Sequence, residues 1–201
     1  MNAGRLIAFE GVDGAGKSTQ LRLLAERLRA AGRSVIETRE PTDGPWGQRI
    51  RAMARSGERV PPAEELRWFV EDRREHVAAV IRPGLARGAF VLTDRYYLST
   101  VAYQGARGLD PERLLAEAEA EFPLPDLALV LDVDPELGLA RVASRGGVAE
   151  PAFEEAAFLA RAAALFRALE RPYVRHVDAR QPPDAVADAV WQAVAALVAP
   201  S

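Results

Sequence analysis

Gly11-Val12-Asp13-Gly14-Ala15-Gly16-Lys17-Ser18 decides how this chain is read, because it stands between the apolar run 5–10 (RLIAFE) and a segment of helical periodicity starting near Lys17. The eight residues satisfy the phosphate-loop pattern G-x-x-x-x-G-K-[ST] in the strand, turn and helix setting that the motif requires. The glycines let the backbone curl until successive N–H groups face a phosphate chain, and the helix N-terminus adds positive potential. Lys17 supplies a compact mobile cation, and Ser18 is the natural magnesium ligand. Lys17 is also the sole lysine among 26 basic residues, so something at that position resists replacement by arginine. The plainer reading is a glycine turn that only starts a helix.

Outward from the loop, the apolar positions Leu21, Leu24, Ala25 and Leu28 recur at helical spacing, and Gly32 is placed to end that helix. Residues 34–38 (SVIET) read as a second strand, after which Arg39-Glu40-Pro41-Thr42 and Gly44-Pro45 predict a loop. Pro61-Pro62 introduces a long helix to about Ile81, with Glu64 and Glu65 in its first turn and Gly84 and Gly88 after it as breakers. Further strands are expected at 89–93 (AFVLT), 126–133 (DLALVLDV) and 174–178. Helices are expected after Asp110-Pro111-Glu112, after Asp134-Pro135-Glu136 and from Pro182 onward. The stretch 144–151 (SRGGVAEP) reads as an excursion or lid. Apolar strands alternating with helices predict an α/β fold, a parallel sheet covered on both faces.

A chain of 201 residues fits one domain, 1–201, with a well-formed core. Its 49% hydrophobic and 27% charged residues exclude disorder, collagen-like and coiled-coil architectures. The longest apolar stretches, 127–131 and 191–198, fall far short of the roughly 20 residues of a membrane span. The first residues lack the pattern of a signal peptide, which predicts a cytoplasmic protein. The absence of cysteine excludes disulfides, zinc-thiolate sites and a thiol nucleophile, and two histidines leave little for a histidine metal site. Any metal should therefore be a hard cation held by oxygen. A net charge of -3 lacks the basic surplus of a non-specific nucleic-acid binder, so no nucleic-acid partner is expected.

Asp94, at the carboxyl end of an apolar strand, has the placement of a magnesium-side carboxylate, a capping aspartate being the alternative. Arg95 beside it would point into the same crevice and keep two anionic substrates from repelling each other, or else form a surface ion pair. On the long helix Leu66, Phe69, Val70, Val77, Val80 and Ile81 trace an apolar stripe, and Arg73 falls within it. An unpaired buried guanidinium is costly, so Arg73 either pairs with a carboxylate or lines a cleft where a polar ligand completes it. Phe69 reads as core and His76 as a packing or capping residue.

FEGVDGAGKST, TREP, WFVEDRREHV, TDRYYLSTVAYQG and LVLDVDPELGLAR together resemble thymidylate kinase, in that family's order and spacing and over nearly the whole chain. The phosphate loop is shared by many enzymes, whereas DRY followed by S-T-x-A-Y-Q-G is specific. The resemblance implies a three-layer P-loop NTPase fold on a five-stranded parallel sheet with a short lid, in a homodimer. It implies transfer of the γ-phosphoryl of ATP, with Mg2+, to dTMP in dTTP biosynthesis. Position by position it puts Gly11, Val12, Asp13, Gly14, Ala15, Gly16, Lys17, Ser18, Thr19 and Arg141 on ATP, and the metal on Ser18 and Asp94. Arg39 and Arg95 would hold the dTMP phosphate, and Asp13 would sit near its 3′-hydroxyl. Phe69 would stack on thymine, Arg73 would bond its O4, Thr100 and Gln104 would face the base, and Tyr103 would crowd the sugar 2′ position. Lys17, Asp13, Arg95 and Arg145 would carry catalysis.

The lid departs from the family. Members with glycine at position 14 usually bring lid arginines where this chain has Ala149 and Glu150, which leaves Arg141 and Arg145 as candidates, with Arg161 behind them. Three competitors stand beside this reading: a kinase for another nucleoside monophosphate, a nucleotide-binding switch, and a catalytically silent paralogue. A guanine switch would carry N-K-x-D, which a chain whose one lysine is Lys17 cannot contain.

Overall fold

The computed structural model describes residues 4–144 and 156–198. Strand β1 (Arg5–Glu10) leads through the glycine loop into helix α1 (Lys17–Ala30), followed by β2 (Val35–Arg39), α2 (Pro45–Ser56) and α3 (Pro62–His76). A π-helical turn (Val77–Ile81) joins α3 to the short α4 (Arg82–Ala86) and β3 (Phe90–Asp94). Then come α5 (Tyr97–Ala106), α6 (Pro111–Glu121), β4 (Leu127–Asp132), α7 (Pro135–Ser144), α8 (Ala156–Ala168), β5 (Val174–Asp178) and α9 (Pro183–Val198). The strands form a five-stranded sheet in the order β2-β3-β1-β4-β5. Every pairing is parallel, so the expected α/β class holds.

The central position of β1 explains its sequence. Leu6, Ile7, Ala8 and Phe9 are completely enclosed, as are Val91 and Leu92 of β3 and Ala128 and Leu129 of β4, because helices cover both faces of these strands. Each such large apolar side chain contributes about 1.5–3 kcal/mol by leaving water. The chain leaves β1 towards β2 on one side and later reaches β4 on the other, so the sheet has a topological switch at the carboxyl end of β1. Crevices at such switch points are where open α/β sheets bind ligands. Here the carboxyl ends of β1, β2 and β3 deliver the glycine loop, Arg39-Glu40 and Asp94-Arg95 to one edge.

Several local expectations are corrected. The loop expected after β2 is present at residues 40–44, but Pro45 already occupies the first turn of the unexpected α2, whose Ile50, Met53 and Ala54 are buried at helical spacing. Helix α5 has no apolar stripe to betray it, since nearly all its residues are buried. The long helix is α-helical only to His76, and its buried residues are Glu65, Trp68, Asp72, Arg73 and His76, whereas Leu66, Phe69 and Val70 are half-buried. Polar side chains reach the interior there because each meets a polar partner: Glu65, for instance, faces Arg107 of the segment after α5. Gly84 is no breaker but lies within α4, where a Cβ would come 2.7 Å from Val91 Cγ2 and 2.8 Å from Ile36 Cδ1. Asp110 does cap α6, its side chain accepting from the N–H groups of Glu112 and Arg113. The expected lid 144–151, apart from Ser144, lies outside the described residues, and with it Arg145, Ala149 and Glu150.

Candidate active site

At the switch point a cavity of about 460 Å3 opens between the glycine loop and α3. The loop positions its ligands by backbone conformation. Gly14 and Gly16 have φ of 78° and 95°, in the left-handed region that glycine enters without a Cβ penalty. Lys17, only 6% exposed, donates from Nζ to the carbonyls of Gly11 at 3.0 Å and Val12 at 2.9 Å, with Asp13 Oδ1 3.8 Å away. Burial, reinforced by the nearby Arg95 cation, pushes the Lys17 ammonium down to about 8. Ser18 Oγ donates to Asp94 Oδ2, and both residues line the cavity.

Arg95 has φ of 73°, a left-handed conformation that is uncommon for a non-glycine residue and costs about 1–2 kcal/mol. Several contacts hold it. Its N–H donates to Phe9 O at 2.9 Å, Thr93 Oγ1 donates to its carbonyl at 2.7 Å, and its guanidinium bonds Asp13 and Ser99 Oγ, the latter at 3.1 Å. The Tyr103 ring lies 5.1 Å from the guanidinium. Burial works against the charge of Arg95, but Asp13, Tyr103 and Asp94 together outweigh it and raise the pKa above its ordinary value. Burial likewise opposes ionised Asp13, and Arg95 and Lys17 overcome that and hold its carboxyl low. Behind them Glu10 is fully buried, accepting from Tyr96 N–H at 3.0 Å and from Ser99 Oγ.

The opposite wall comes from α3, α5 and the segment after β2. Phe69 is half-buried at the cavity, and Arg73 lies in it, paired with Glu40 at 2.7 Å and donating to Thr100 Oγ1 at 2.9 Å. Both readings of Arg73 therefore hold at once, a carboxylate partner and a cleft. Gln104 is completely buried and lines the cavity, and neither its Nε2 nor its Oε1 has a partner among the described residues. An unsatisfied buried amide costs about 1–3 kcal/mol, and this one offers both a donor and an acceptor to a polar group entering the cavity. Arg39 lines the cavity while mostly exposed and bonded to Asp43 at 2.9 Å.

The cavity thus brings together Asp13, Gly14, Gly16, Lys17, Ser18, Thr19, Asp94 and Arg95 with Arg39, Phe69, Arg73, Thr100, Tyr103 and Gln104. Gly11, Val12 and Ala15 do not line it; Val12 and Ala15 are buried beneath the loop. Arg141 is also off the lining, donating to Ala179 O at 2.8 Å, and its neighbour Val142 reaches the cavity instead. Arg161 donates to Ala106 O at 3.3 Å. Sequence reasoning did not single out Glu10, Glu40 or Ser99. It also passed over Arg51, which braces the segment after β2 by donating to Pro41 O at 2.9 Å and Thr42 O at 2.6 Å. The signal for Glu40 was present in the need of Arg73 for a carboxylate, but nothing in the spacing said which one.

Among the described residues no group of three or more His, Cys, Asp or Glu could hold a metal. The Ser18 hydroxyl and Asp94 carboxylate, hard oxygens side by side, fit a magnesium ion that takes its other ligands from phosphate and water.

A phosphate loop thus faces an aromatic and an arginine across one cavity, and comparison with known proteins gives the family. The family model described as thymidylate kinase matches residues 9–190. The thymidylate kinase of Desulfotalea psychrophila is 48% identical over 92% of this chain and 91% of its own. That of Akkermansia muciniphila is 44% identical over 95% and 91%, and that of Xylella fastidiosa strain M12 is 46% identical over 97% and 87%. With the sheet order, the cavity and this near-complete coverage in accord, the chain belongs to the thymidylate kinase family, and so to the nucleoside monophosphate kinases.

Proposed function

We propose that this chain phosphorylates dTMP to dTDP by direct in-line transfer of the γ-phosphoryl from Mg-ATP, supplying dTTP synthesis as a cytoplasmic homodimer of one-domain subunits. The observation that carries the reading is the single cavity in which buried Lys17 and the glycine loop face Phe69, Arg73 and the unpartnered amide of Gln104. Residues Gly11 to Thr19, with Arg141, take the ATP side. Lys17 exchanges its loop carbonyls for phosphate oxygens. Ser18 and Asp94 would hold magnesium, which supplies charge neutralisation at the phosphates.

On the acceptor side Arg39 and Arg95 hold the dTMP phosphate and Asp13 lies near the 3′-hydroxyl. Phe69 stacks on the base, Arg73 bonds its O4, and Thr100 and Gln104 face its edge. Tyr103 crowds the 2′ position, which disfavours ribonucleotides by steric exclusion. Arg95 is already fixed by Asp13 and Ser99, so its cation needs little reorganisation as charge spreads over the transferring oxygens. The lid 144–151 completes the site through Arg145. Nothing here needs a covalent intermediate; positioning and electrostatics suffice.

The test is a coupled ADP-release assay with ATP and dTMP, dUMP, CMP, GMP or AMP in parallel, with and without a magnesium chelator. Strong preference for dTMP that is lost with chelation is expected. Preference for another monophosphate would overturn the base assignment, and folded, ATP-binding protein silent with every acceptor would overturn the kinase reading.

A further inference from the structure

The interior face of α3 is polar where a helix of this kind is ordinarily apolar, and in its last turns Asp72, Arg73 and His76 all grip the segment around Glu40. Asp72 accepts from Thr42 N–H at 2.9 Å and Thr42 Oγ1 at 2.6 Å. Arg73 donates from Nε at 2.9 Å and Nη2 at 2.7 Å to one oxygen of Glu40, Oε2. The other oxygen, Oε1, meets His76 Nδ1 at 2.9 Å, and His76 Nε2 meets Thr38 Oγ1 at 2.7 Å. Glu40, Arg73 and His76 are all buried.

The proton positions follow from the charges. Burial disfavours ionised Glu40, yet Arg73 and His76 outweigh it and hold its carboxyl below the ordinary value. An ionised carboxylate only accepts, so His76 Nδ1 carries a proton toward it, and in the neutral ring Nε2 accepts from the Thr38 hydroxyl. Each carboxylate oxygen is then committed to a different donor, which fixes the plane of the carboxylate and with it the plane of the guanidinium. The ring centres of Tyr96 and Phe122 each lie 5.5 Å from the guanidinium carbon, and Thr100 engages Nη2 from the side. Glu40 and Thr100 occupy Nε and Nη2 but not Nη1.

We propose that Glu40 and His76 are positioning residues that lock Arg73 so that Nη1 alone is presented to the pyrimidine, and that this lock sets discrimination between a base with a carbonyl at position 4 and one with an amino group there. The proposal rests on the reading that Arg73 meets the base. A fixed N–H donor accepts a partner carbonyl and opposes an amino group, donor against donor. A guanidinium free to turn away would lose that contrast, because it could leave the amino group to water or to Gln104.

The experiment measures kcat and KM for dTMP, dCMP and ATP with wild type, Glu40→Gln, His76→Leu and His76→Asn. Glu40→Gln keeps the shape and removes the charge, and should raise KM for dTMP and lower the dTMP over dCMP ratio of kcat/KM, each about tenfold or more, with KM for ATP little moved. His76→Leu should shift both in the same direction. His76→Asn, whose amide nitrogen can take the place of Nδ1, should recover most of the ratio, a rescue that a space-filling role would not produce. Should Glu40→Gln fail to fold, the His76 pair decides. Folded Glu40→Gln or His76→Leu with unchanged ratio, or equal loss with both His76 variants, overturns the proposal. Wild type that does not prefer dTMP overturns the underlying reading and this one with it, whereas selective wild type with insensitive variants overturns this one alone.

Discussion

Gly14 and Gly138 meet backbone to backbone: a Cβ on Gly14 would lie 2.0 Å from the carbonyl oxygen of Gly138, and one on Gly138 would lie 2.5 Å from Asp13 O. The first turns of α7 therefore press directly on the phosphate loop, and no side chain at position 14 can reach over the phosphates without moving that helix. On the proposed function, a cation above the transferring phosphoryl group would therefore come from a residue other than that at position 14.

Gly14→Ala should accordingly be costly twice over, through its φ of 78° and through the overlap with α7. The left-handed conformation alone costs about 1–2 kcal/mol, so stability should fall by about 2 kcal/mol or more. In a chain of this size that lowers Tm by roughly 4–8 °C. Calorimetry with and without ATP checks it; an unchanged Tm would mean that the helix yields freely.

Lys17→Ala should lower kcat/KM by about a hundredfold or more, corresponding to about 3 kcal/mol of transition-state stabilisation. Lys17→Arg should not restore it, because the ammonium sits in a buried slot between two carbonyls that a planar guanidinium does not fit. Since Lys17 is pushed down to about 8, raising the pH through that value removes the cation from the free protein. Initial-rate kinetics should show kcat/KM for ATP falling above about pH 8 and approaching a tenfold loss per unit.

Glu10 predicts an opposite kind of pH dependence, in stability. Burial pushes its carboxyl from 4.5 to about 7, and the Ser99 hydrogen bond and the Arg95 cation offset this only in part. The folded state holds this proton more tightly than the unfolded chain, so stability falls as pH rises from 4.5 through 7. Against Glu10→Gln, which does not titrate, wild type should lose up to roughly 3 kcal/mol over that interval. Urea melts of both proteins across the range measure it, and parallel curves would refute the shift.

The phosphate loop and strands β1 to β5 were legible because their signals are local: a glycine spacing, a short run of strand-forming residues between turn signals, an Asp-Pro-Glu helix start. Helix α5 was not, since burial on all sides erases amphipathic periodicity. Nor was the inner face of α3 as a whole: periodicity put Arg73 inside, but it named Leu66, Phe69 and Val70 as its buried neighbours where the structure buries Glu65, Trp68 and Asp72. Polar residues there are tolerated because Thr38, Glu40 and Thr42, some thirty to forty residues earlier, and Thr100 and Arg107, later in the chain, supply their partners.

The chemistry available to this protein was already written in the order of its residues, since only Gly-rich backbone, one lysine and a following serine make a phosphate cradle at that spacing. What each charged group is doing could be settled only in three dimensions. Arg73 is locked rather than merely present, Arg95 is held left-handed by Phe9 and Asp13, and Glu10 is driven toward its neutral form. These properties depend on partners and on exclusion from water, and both come from residues distant in the chain that the parallel sheet brings to a single edge.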